Sequence, residues 1–184
     1  MKRILLCALA ILASVQLATA QNKGEKYIGG SLGVSTISIG FDGTSASTTG
    51  FGIAPEFGVF VVDRLRLGGS LAYNLSSSSG DTMHTLTLGP NLAYYIKLCD
   101  RFYYTPEIGI GFAYVSLYNT SGYGFSTGLS CGSFEFRPST HCGLSFSLLT
   151  LQYTWLSYSD FGINGHITAF NFGVSPTIGF KYYF

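Results

Sequence analysis

The chain ends with the stretch FNFGVSPTIGFKYYF, residues 170–184, in which nearly every second side chain is large and apolar. The apolar or aromatic series comprises Phe170, Phe172, Val174, Pro176, Ile178, Phe180, Tyr182 and Phe184. The residues between them are mostly small or polar. Because successive side chains of a β-strand point to opposite faces, this pattern predicts a strand with one apolar face and one mostly polar face.

The same alternation recurs along the rest of the chain, without the 3.6-residue period that indicates a helix. Seven further strands are predicted, at residues 28–35, 51–61, 65–75, 85–96, 104–114, 134–146 and 151–155. Together with the C-terminal strand they predict an all-β protein with eight strands.

The predicted connections alternate between short and long. Short turns fall at Asp63-Arg64, at Cys99-Asp100 and around Leu149, and the connections between them are rich in Gly, Ser and Thr. The longer connections are residues 41–50, 76–82, 118–133 and 157–168. This arrangement is typical of up-and-down barrels in an outer membrane. We therefore predict an eight-stranded antiparallel up-and-down transmembrane β-barrel, with short periplasmic turns and longer extracellular loops.

The orientation of the apolar face follows from side-chain volume. An eight-stranded barrel has room inside for modest side-chain packing or one small ligand, so rows of Phe, Leu, Ile and Tyr would overfill it. A narrow lumen lined by Gly, Ser, Ala and Thr fits better. The apolar series is therefore predicted to face lipid.

Aromatic residues near the predicted strand ends form two belts, as at the two interfaces of membrane barrels. The belt at the short-turn end comprises Tyr94, Phe102, Tyr104, Phe146, Tyr182 and Phe184. The belt at the long-loop end comprises Tyr73, Phe112, Tyr114, Phe134, Phe136 and Phe170.

The same register places six charged side chains in the lumen, three acidic and three basic. They are Glu56, Arg66, Glu107, Glu135, Arg137 and Lys181. Buried charges persist only when they are paired and hydrogen-bonded, so we predict an ionic network that closes the lumen. Its expected hydrogen-bond partners are His141, Tyr95 and Tyr103. The alternative is that these residues line a selective path for ions or protons.

All five prolines fall inside predicted strands, on the outward face. They are Pro55, Pro90, Pro106, Pro138 and Pro176. Proline removes a donor from the hydrogen-bond ladder and is normally confined to edges and bulges. Since a closed barrel has no edges, we predict local bulges at these positions.

The first twenty residues, MKRILLCALAILASVQLATA, have the pattern of a secretory signal peptide. Lys2 and Arg3 precede an apolar run too short to span a bilayer, and Ala18 and Ala20 form an A-x-A cleavage site. We expect export through the general secretory route and removal of this segment, which leaves an outer-membrane β-barrel domain at 21–184.

The charge of the predicted mature chain argues against nucleic acid as a partner. Without Lys2 and Arg3 the ten basic residues fall to eight, against nine acidic ones. Nucleic-acid binding needs a basic surface, so we expect no nucleic-acid partner.

Residues for metal binding or catalysis are sparse. Cys99, Cys131 and Cys142 are an odd set without the spacing of a zinc site, and we expect no metal and no cofactor. Some outer-membrane barrels that modify lipid A use a histidine with a nearby hydroxyl and an acid. His166 lies six residues after Asp160 and two before Thr168, but this combination is weak evidence in a chain rich in Ser and Thr. We therefore expect no catalytic site.

Two strand–turn–strand units resemble those of small outer-membrane β-barrels of the OmpX and OmpA transmembrane-domain type. They are PEFGVFVVDRLRLGGSLAYNL, residues 55–75, and PNLAYYIKLCDRFYYTPEIGIGFAY, residues 90–114. The final FKYYF resembles the C-terminal signature of this family that the barrel-assembly machinery recognises, with Phe180, Tyr182 and Phe184 at alternate positions. Unlike OmpA, the chain is expected to carry no peptidoglycan-binding domain after the barrel.

The resemblance implies a monomer in the cell outer membrane, in contact with lipid and assembled through its C-terminal strand. It also implies a role in envelope integrity or in adhesion to an extracellular ligand through the loops. The predicted third loop, 117–133, carries Tyr118, Tyr123 and Phe125 for such contacts. The leading hypothesis is a non-catalytic barrel with a closed polar lumen. The alternatives are a narrow passive channel for ions or small solutes and a lipid-A-modifying enzyme.

Overall fold

The part of the chain described by the computed structural model consists of residues 23–41, 44–78, 81–117, 120–160 and 163–184. The predicted signal peptide, with Ala18 and Ala20, lies outside the described residues. Within these ranges no helix is long and apolar enough to cross a membrane.

The described chain consists of antiparallel β-strands joined by short connections. In chain order they are β1 (Lys26–Phe41), β2 (Thr44–Val62), β3 (Leu65–Ser78), β4 (Asp81–Tyr94), β5 (Ile96–Cys99), β6 (Phe102–Tyr104), β7 (Glu107–Leu117), β8 (Thr120–Ser130), β9 (Ser133–Phe136), β10 (Cys142–Asp160) and β11 (Ile163–Tyr183). β4 and β5 are two segments of one strand of the barrel, and so are β6 and β7, and β8 and β9. We call each such strand one position of the barrel wall. Within the described residues the strands therefore form a ring of eight positions, which confirms the predicted antiparallel barrel.

The C-terminal strand closes the ring. β11 pairs with β10 on one side and with β1 on the other, where the ladder runs from Tyr27↔Tyr183 to Gly33↔Thr177. Lys26 and Phe184 exchange both backbone hydrogen bonds, at 3.0 and 2.9 Å. The alternating residues 170–183 thus belong to β11, the strand that joins the two ends of the barrel wall.

The predicted strand at 134–146 is wrong, because the chain turns at 137–141 between β9 and β10. Pro138, Ser139 and Thr140 are turn-forming residue types. Alternation remains in phase across this turn, since the lumen positions are odd-numbered before it and after it. The pattern of apolar residues therefore does not reveal the reversal.

The predicted turn around Leu149 is also wrong, because this residue lies inside β10. Leu148 and Leu149 are both exposed, and the register to β11 shifts between Ser147 and Leu149. Two consecutive outward leucines break the alternation as a turn would. Here they mark a β-bulge instead.

The segments predicted as longer loops are largely paired in β-hairpins. Residues 120–130, inside the predicted third loop, form β8 and pair with β7 and β10. Tyr123 and Phe125 lie on the outer face of this strand, and Tyr118 lies outside the described residues. Elsewhere, β1 and β2 remain paired as far as Phe41↔Thr44. Within β8, Gly124 and Ser126 alternate with the outward-facing Tyr123 and Phe125, so small residues there lie on the lumen side.

Regular strand structure is interrupted at one level of the wall, across four neighbouring positions. Tyr95 separates β4 from β5, residues 105–106 separate β6 from β7, residues 131–132 separate β8 from β9, and Leu148 is the bulge in β10. Backbone hydrogen bonds connect these breaks: Tyr94 N to Pro106 O at 3.0 Å, Thr105 N to Ser133 O at 2.8 Å and Leu148 N to Gly132 O at 3.0 Å.

At this level side-chain alternation changes phase between β8 and β9 and within β10, whereas the lumen positions stay odd-numbered from β4 to β5 and from β6 to β7. The hydroxyls of Ser130, Ser133 and Ser147 meet on the lumen side, with Oγ–Oγ distances of 2.5, 2.6 and 3.0 Å. Ser130 and Ser133 are three residues apart, so they share a face only because the chain between them departs from the regular pleat.

The apolar series faces outward, as the volume argument predicts. Ile28, Phe57 and Ile178 expose 61, 66 and 70% of their surface on the outside of the barrel. One part of the predicted aromatic belts is wrong: Phe134 and Phe136 pair with Tyr104 and Phe102 at the short-turn end. The error follows from the misplaced turn.

The prolines do not all lie at bulges. Pro55 and Pro90 lie in strands whose register is the same on both sides of the proline. Pro106 lies in the break between β6 and β7, Pro176 lies opposite the bulge of β10, and Pro138 lies in a turn. The ladder thus accommodates Pro55 and Pro90 without a shift in register.

Candidate functional site in the barrel lumen

The short-turn half of the lumen contains a layer of charged and aromatic side chains, which we call the lumen layer. Its charged members are Glu56, Arg66, Glu107, Glu135 and Lys181. Its aromatic members are Tyr27, Phe60, Tyr95, Tyr103 and Tyr183. These side chains come from strands around the ring and converge because lumen-facing positions recur at every second residue.

Lys181 lies between two carboxylates. Its Nζ is 2.9 Å from Glu135 Oε2 and 3.6 Å from Glu56 Oε1. Lys181 and Glu135 are both buried. The pairing satisfies two charges that would each be costly to bury alone.

Arg66 forms the second ionic group. Its Nη2 donates to Glu107 Oε2 at 2.5 Å and to Asn91 Oδ1 at 3.2 Å. Arg66 has no exposed surface, whereas the Glu107 side chain is 31% exposed. Glu107 is therefore the edge of the layer toward the long-loop end.

Tyr95 connects the two ionic groups. Its hydroxyl donates to Glu135 Oε2 at 2.9 Å and lies 3.5 Å from Arg66 Nη1 and 3.4 Å from Lys181 Nζ. Tyr183 donates to the other oxygen of Glu135 at 2.5 Å. Glu135 thus accepts hydrogen bonds from two phenols and one ammonium group.

Aromatic rings fill the space between the charges. Phe60 lies edge-on to Tyr95, with ring centroids 5.0 Å apart, and Tyr103 lies 6.2 Å from Tyr95. The Arg66 guanidinium lies 5.2 Å from the centroid of the Tyr27 ring. Tyr95 and Tyr103 were expected among the lumen charges, whereas the rings of Tyr27, Phe60 and Tyr183 were not, so most of this aromatic filling was missed. Strict alternation places all five rings on the lumen side and could have revealed them.

Glycines provide the room for these large groups. A Cβ on Gly58 would lie 2.5 Å from Tyr27 Cε1, and a Cβ on Gly143 would lie 2.9 Å from Glu135 Oε1. Both distances are too short for a carbon atom. Small residues on one strand therefore accommodate the large side chains that neighbouring strands direct inward.

A further ion pair lies at the short-turn mouth of the lumen. Arg137 holds Glu25 with two hydrogen bonds of 2.7 and 3.2 Å, donates to Thr140 O at 3.0 Å, and lies 3.7 Å from the Tyr183 ring centroid. We call the pair of Glu25 and Arg137 the mouth clasp. Glu25 was not among the predicted lumen charges, although it lies two residues before Tyr27 and follows the same alternation.

Two of the expected hydrogen-bond partners behave differently. His141 is exposed in the turn between β9 and β10, where its Nδ1 lies 3.0 Å from Thr140 Oγ1 and its ring stacks beside Tyr182. Its assignment to the lumen is therefore wrong, because it belongs to the turn and not to a strand. Tyr103 is buried in the layer and packs against Tyr95 through its ring.

A cavity of about 150 Å³ lies beyond Glu107, toward the long-loop end. Its lining combines polar side chains, Ser70, Thr87, Asn91, Glu107, Ser126 and Gln152, with glycines and apolar residues. Asn91 Nδ2 is buried and has no hydrogen-bond partner within the described part of the chain. The lumen is thus filled in one half and contains free space in the other.

Other candidate residues form no site in the described structure. Cys99, Cys131 and Cys142 are free thiols, and no described cluster of His, Cys, Asp and Glu could hold a metal ion. The side chains of Asp160, His166 and Thr168 lie outside the described part. Phe180, Tyr182 and Phe184 are exposed on the outer face of β11 and just beyond its end.

Comparisons with known proteins agree with this architecture. The model of a family described as outer membrane protein beta-barrel domain matches residues 5–184. The fold is similar to OprG from Pseudomonas aeruginosa, with a TM-score of 0.51, 16% identity, and coverage of 90% of this chain and 98% of that one. It is also similar to Neisserial surface protein A, with a TM-score of 0.52, 13% identity, and coverage of 88% and 97%. No curated protein matches the chain in sequence.

Proposed function

Because the chain belongs to the outer membrane protein beta-barrel domain family, we propose that it is a non-catalytic barrel with a closed lumen. In this proposal the barrel contributes to envelope integrity and presents its long-loop hairpins for contact with an extracellular ligand or surface. The chain resides in the cell outer membrane, in contact with lipid.

The lumen layer is the observation that carries the closed state. Arg66, Tyr95, Glu135, Lys181 and Tyr183 are all buried and linked to one another by hydrogen bonds. An ion that crossed this layer would have to separate buried pairs and displace aromatic rings. Breaking a buried pair costs about 3–5 kcal/mol, which supports a closed barrel.

The surface role is supported by the other end of the barrel. The described backbone pairing of the β1–β2 and β10–β11 hairpins extends to Phe41↔Thr44 and to Asp160↔Ile163, at the long-loop end. Among the described residues, Tyr123 and Phe125 on β8 are exposed beneath this end. Aromatic residues mixed with Ser and Gly suit adaptable contacts.

Export and assembly are part of the same proposal. Residues 1–20 direct export and are removed after Ala20, and the mature chain inserts as a monomer. Phe180, Tyr182 and Phe184 form the signal for the barrel-assembly machinery. Their exposure on the closing strand leaves them available before the ladder to β1 forms.

Single-channel recording on the refolded mature barrel in a planar bilayer tests the closed lumen. We expect no conductance steps from protein that is shown to be folded by its heat-dependent shift in gel mobility. A variant in which Tyr95→Ala and Tyr183→Ala remove two rings of the layer is the control for detection. Steady, salt-dependent steps from the unmodified protein would contradict the proposal.

A narrow passive channel is the second candidate, and the cavity beyond Glu107 favours it. This cavity is lined in part by polar side chains and is bordered by a partly exposed carboxylate. If the unmodified barrel conducts, Glu107→Gln should reduce its preference for cations. Unchanged selectivity would exclude Glu107 from the path.

A further inference from the structure

Two turns of the described chain have the same sequence, Asp-Arg, and a similar backbone geometry. One is Asp63-Arg64 between β2 and β3, and the other is Asp100-Arg101 between β5 and β6. In each, the arginine has a positive φ, 69° at Arg64 and 64° at Arg101. Among the described residues these are the non-glycine residues with positive φ.

Both arginine carbonyl oxygens also accept a backbone hydrogen bond from a residue outside their own turn. Arg64 O accepts from Tyr95 N at 2.8 Å, and Arg101 O accepts from Arg137 N at 2.7 Å. The register shifts next to each turn, between Phe60 and Val62 and between Lys97 and Cys99. The two turns are therefore structurally equivalent.

Arginine is an unfavourable residue for this conformation. A left-handed turn position following such a bulge is normally glycine or asparagine, because a Cβ is strained there. Nothing in the backbone hydrogen bonds requires a side chain at either position. Strain retained at an observed outlier points to a function for the side chain.

The distribution of charge indicates what that function is. Every Lys and Arg of residues 21–184 lies toward the short-turn end: Lys23, Lys26, Arg64, Arg66, Lys97, Arg101, Arg137 and Lys181. Arg66, Arg137 and Lys181 are buried in the lumen or at its mouth. The other five basic residues lie at the rim, where Asp63 and Asp100 are the acidic residues of the two turns.

The rim also borders the apolar surface of the barrel. Val62 and Leu98, which lie just before the two turns, expose 48 and 54% of their surface. A side chain at either turn thus lies where the apolar surface of the barrel ends. In a membrane this is the level of the lipid headgroups.

We propose that Arg64 and Arg101 form two equivalent binding turns for the headgroup phosphates of anionic phospholipids in the leaflet at the short-turn end. A guanidinium is a planar fork of donors that matches phosphate geometry and keeps its charge at an interface. Each turn aspartate has a further contact at the rim, since Asp63 Oδ1 accepts from Lys23 N at 2.9 Å and Asp100 pairs with Lys97 at 3.1 Å. Arg101 Nη1 donates to Pro138 O at 3.0 Å, which orients the guanidinium at the rim.

The test compares unfolding by urea in two kinds of vesicle, one of phosphatidylcholine alone and one that also contains phosphatidylglycerol. We expect the midpoint of the unmodified protein to rise when phosphatidylglycerol is present. The Arg64→Gly and Arg101→Gly double variant should have a higher midpoint than the unmodified protein in phosphatidylcholine, because glycine relieves the backbone. It should lose the rise with phosphatidylglycerol.

Three controls keep the outcomes distinct. Lys26→Gln, at the same rim, should retain most of the rise. The Arg64→Lys and Arg101→Lys double variant should show a smaller rise than the unmodified protein. An equal rise would overturn the role of the guanidinium. This comparison does not require the glycine variant to fold. Free glycerol phosphate should leave the midpoint in phosphatidylcholine unchanged; an equal rise would mean that the turns bind a soluble anion.

The proposal is overturned if the glycine double variant responds to phosphatidylglycerol as the unmodified protein does. It depends on the barrel lying in a bilayer and not on whether the lumen conducts. A conducting barrel would therefore contradict the closed lumen and leave the lipid-binding turns standing.

Discussion

Lys181 and Glu135 form a buried ion pair between strands that are not neighbours in the wall. Their Nζ and Oε2 atoms are 2.9 Å apart, although β10 lies between β9 and β11. The pair forms across Gly143, which is the partner of Lys181 in the ladder and leaves no side chain in the way. The contact therefore depends on a glycine as much as on the two charges.

This pair predicts a strong coupling. Lys181→Met leaves the Glu135 carboxylate buried without its cation and should lower the free energy of unfolding by about 3–5 kcal/mol. Adding Glu135→Leu should recover a large part of this loss, because neither charge then remains buried. Equilibrium unfolding in urea of the two single variants and the double variant gives the coupling. Strictly additive losses would contradict a direct pair.

The mouth clasp should have a smaller and more local effect. Its atoms are partly exposed, with 9% of the Arg137 side chain and 23% of the Glu25 side chain accessible. Glu25→Gln should therefore cost about 1 kcal/mol, and should speed hydrogen exchange at Gly24 and Lys26 without changing β7 and β8. Arg137→Lys should behave similarly, because lysine keeps the charge but loses the two-pronged contact and the stacking on Tyr183. Equal acceleration throughout the barrel would point to global destabilisation instead.

Lumen glycines should differ sharply in their tolerance of a methyl group. Gly58→Ala places a Cβ against the Tyr27 ring and should cost about 1–3 kcal/mol. Gly128→Ala is the matched control, because a Cβ there would meet only Leu151 O, at 3.8 Å. The control should stay within about 0.5 kcal/mol of the unmodified protein in urea unfolding. Similar losses in both variants would mean that glycine serves the strand backbone and not the layer.

The terminal aromatic residue should matter for assembly in the cell more than for the folded barrel. Phe184→Ala removes an exposed ring, while its backbone bonds to Lys26 can still form. We expect less folded protein in the outer membrane of expressing cells and unchanged refolding of the purified variant into detergent. Val34→Ala, also on the outer face, serves as the control for loss of apolar surface. Equal levels of both variants in the membrane would remove the assembly role from Phe184.

Alternation of side chains was sufficient to predict the barrel and the side on which each strand residue lies. Arg66, Glu107 and Lys181 face the lumen because they occupy alternate positions to exposed apolar residues. Their pairings could not be predicted, since these depend on the stagger between strands that are far apart in sequence. The link from Lys181 to Glu135, for example, depends on the register of two ladders with β10.

The two errors in strand assignment, at 137–141 and at Leu149, have a common physical cause. A turn of odd length keeps the alternation in phase, and a bulge breaks it, so residues 137–141 looked like strand and Leu149 looked like a turn. The aromatic filling was missed for a different reason. Tyr27 and Phe60 occupy lumen positions, and glycines such as Gly58 offset their volume on the neighbouring strand. The average volume of the lumen therefore does not exclude a large side chain at a single position, provided that a neighbouring strand has a glycine there.

The level at which four neighbouring wall positions lose regular pairing divides the barrel into two stacked sections. The section with the short turns contains the lumen layer, and the other carries the hairpins. The slip between Ser130 and Ser133 separates the register of β8 from that of β9, which carries Glu135. The β7–β8 hairpin can therefore diversify under selection from the surroundings, while β9 keeps Glu135 in place to close the pore.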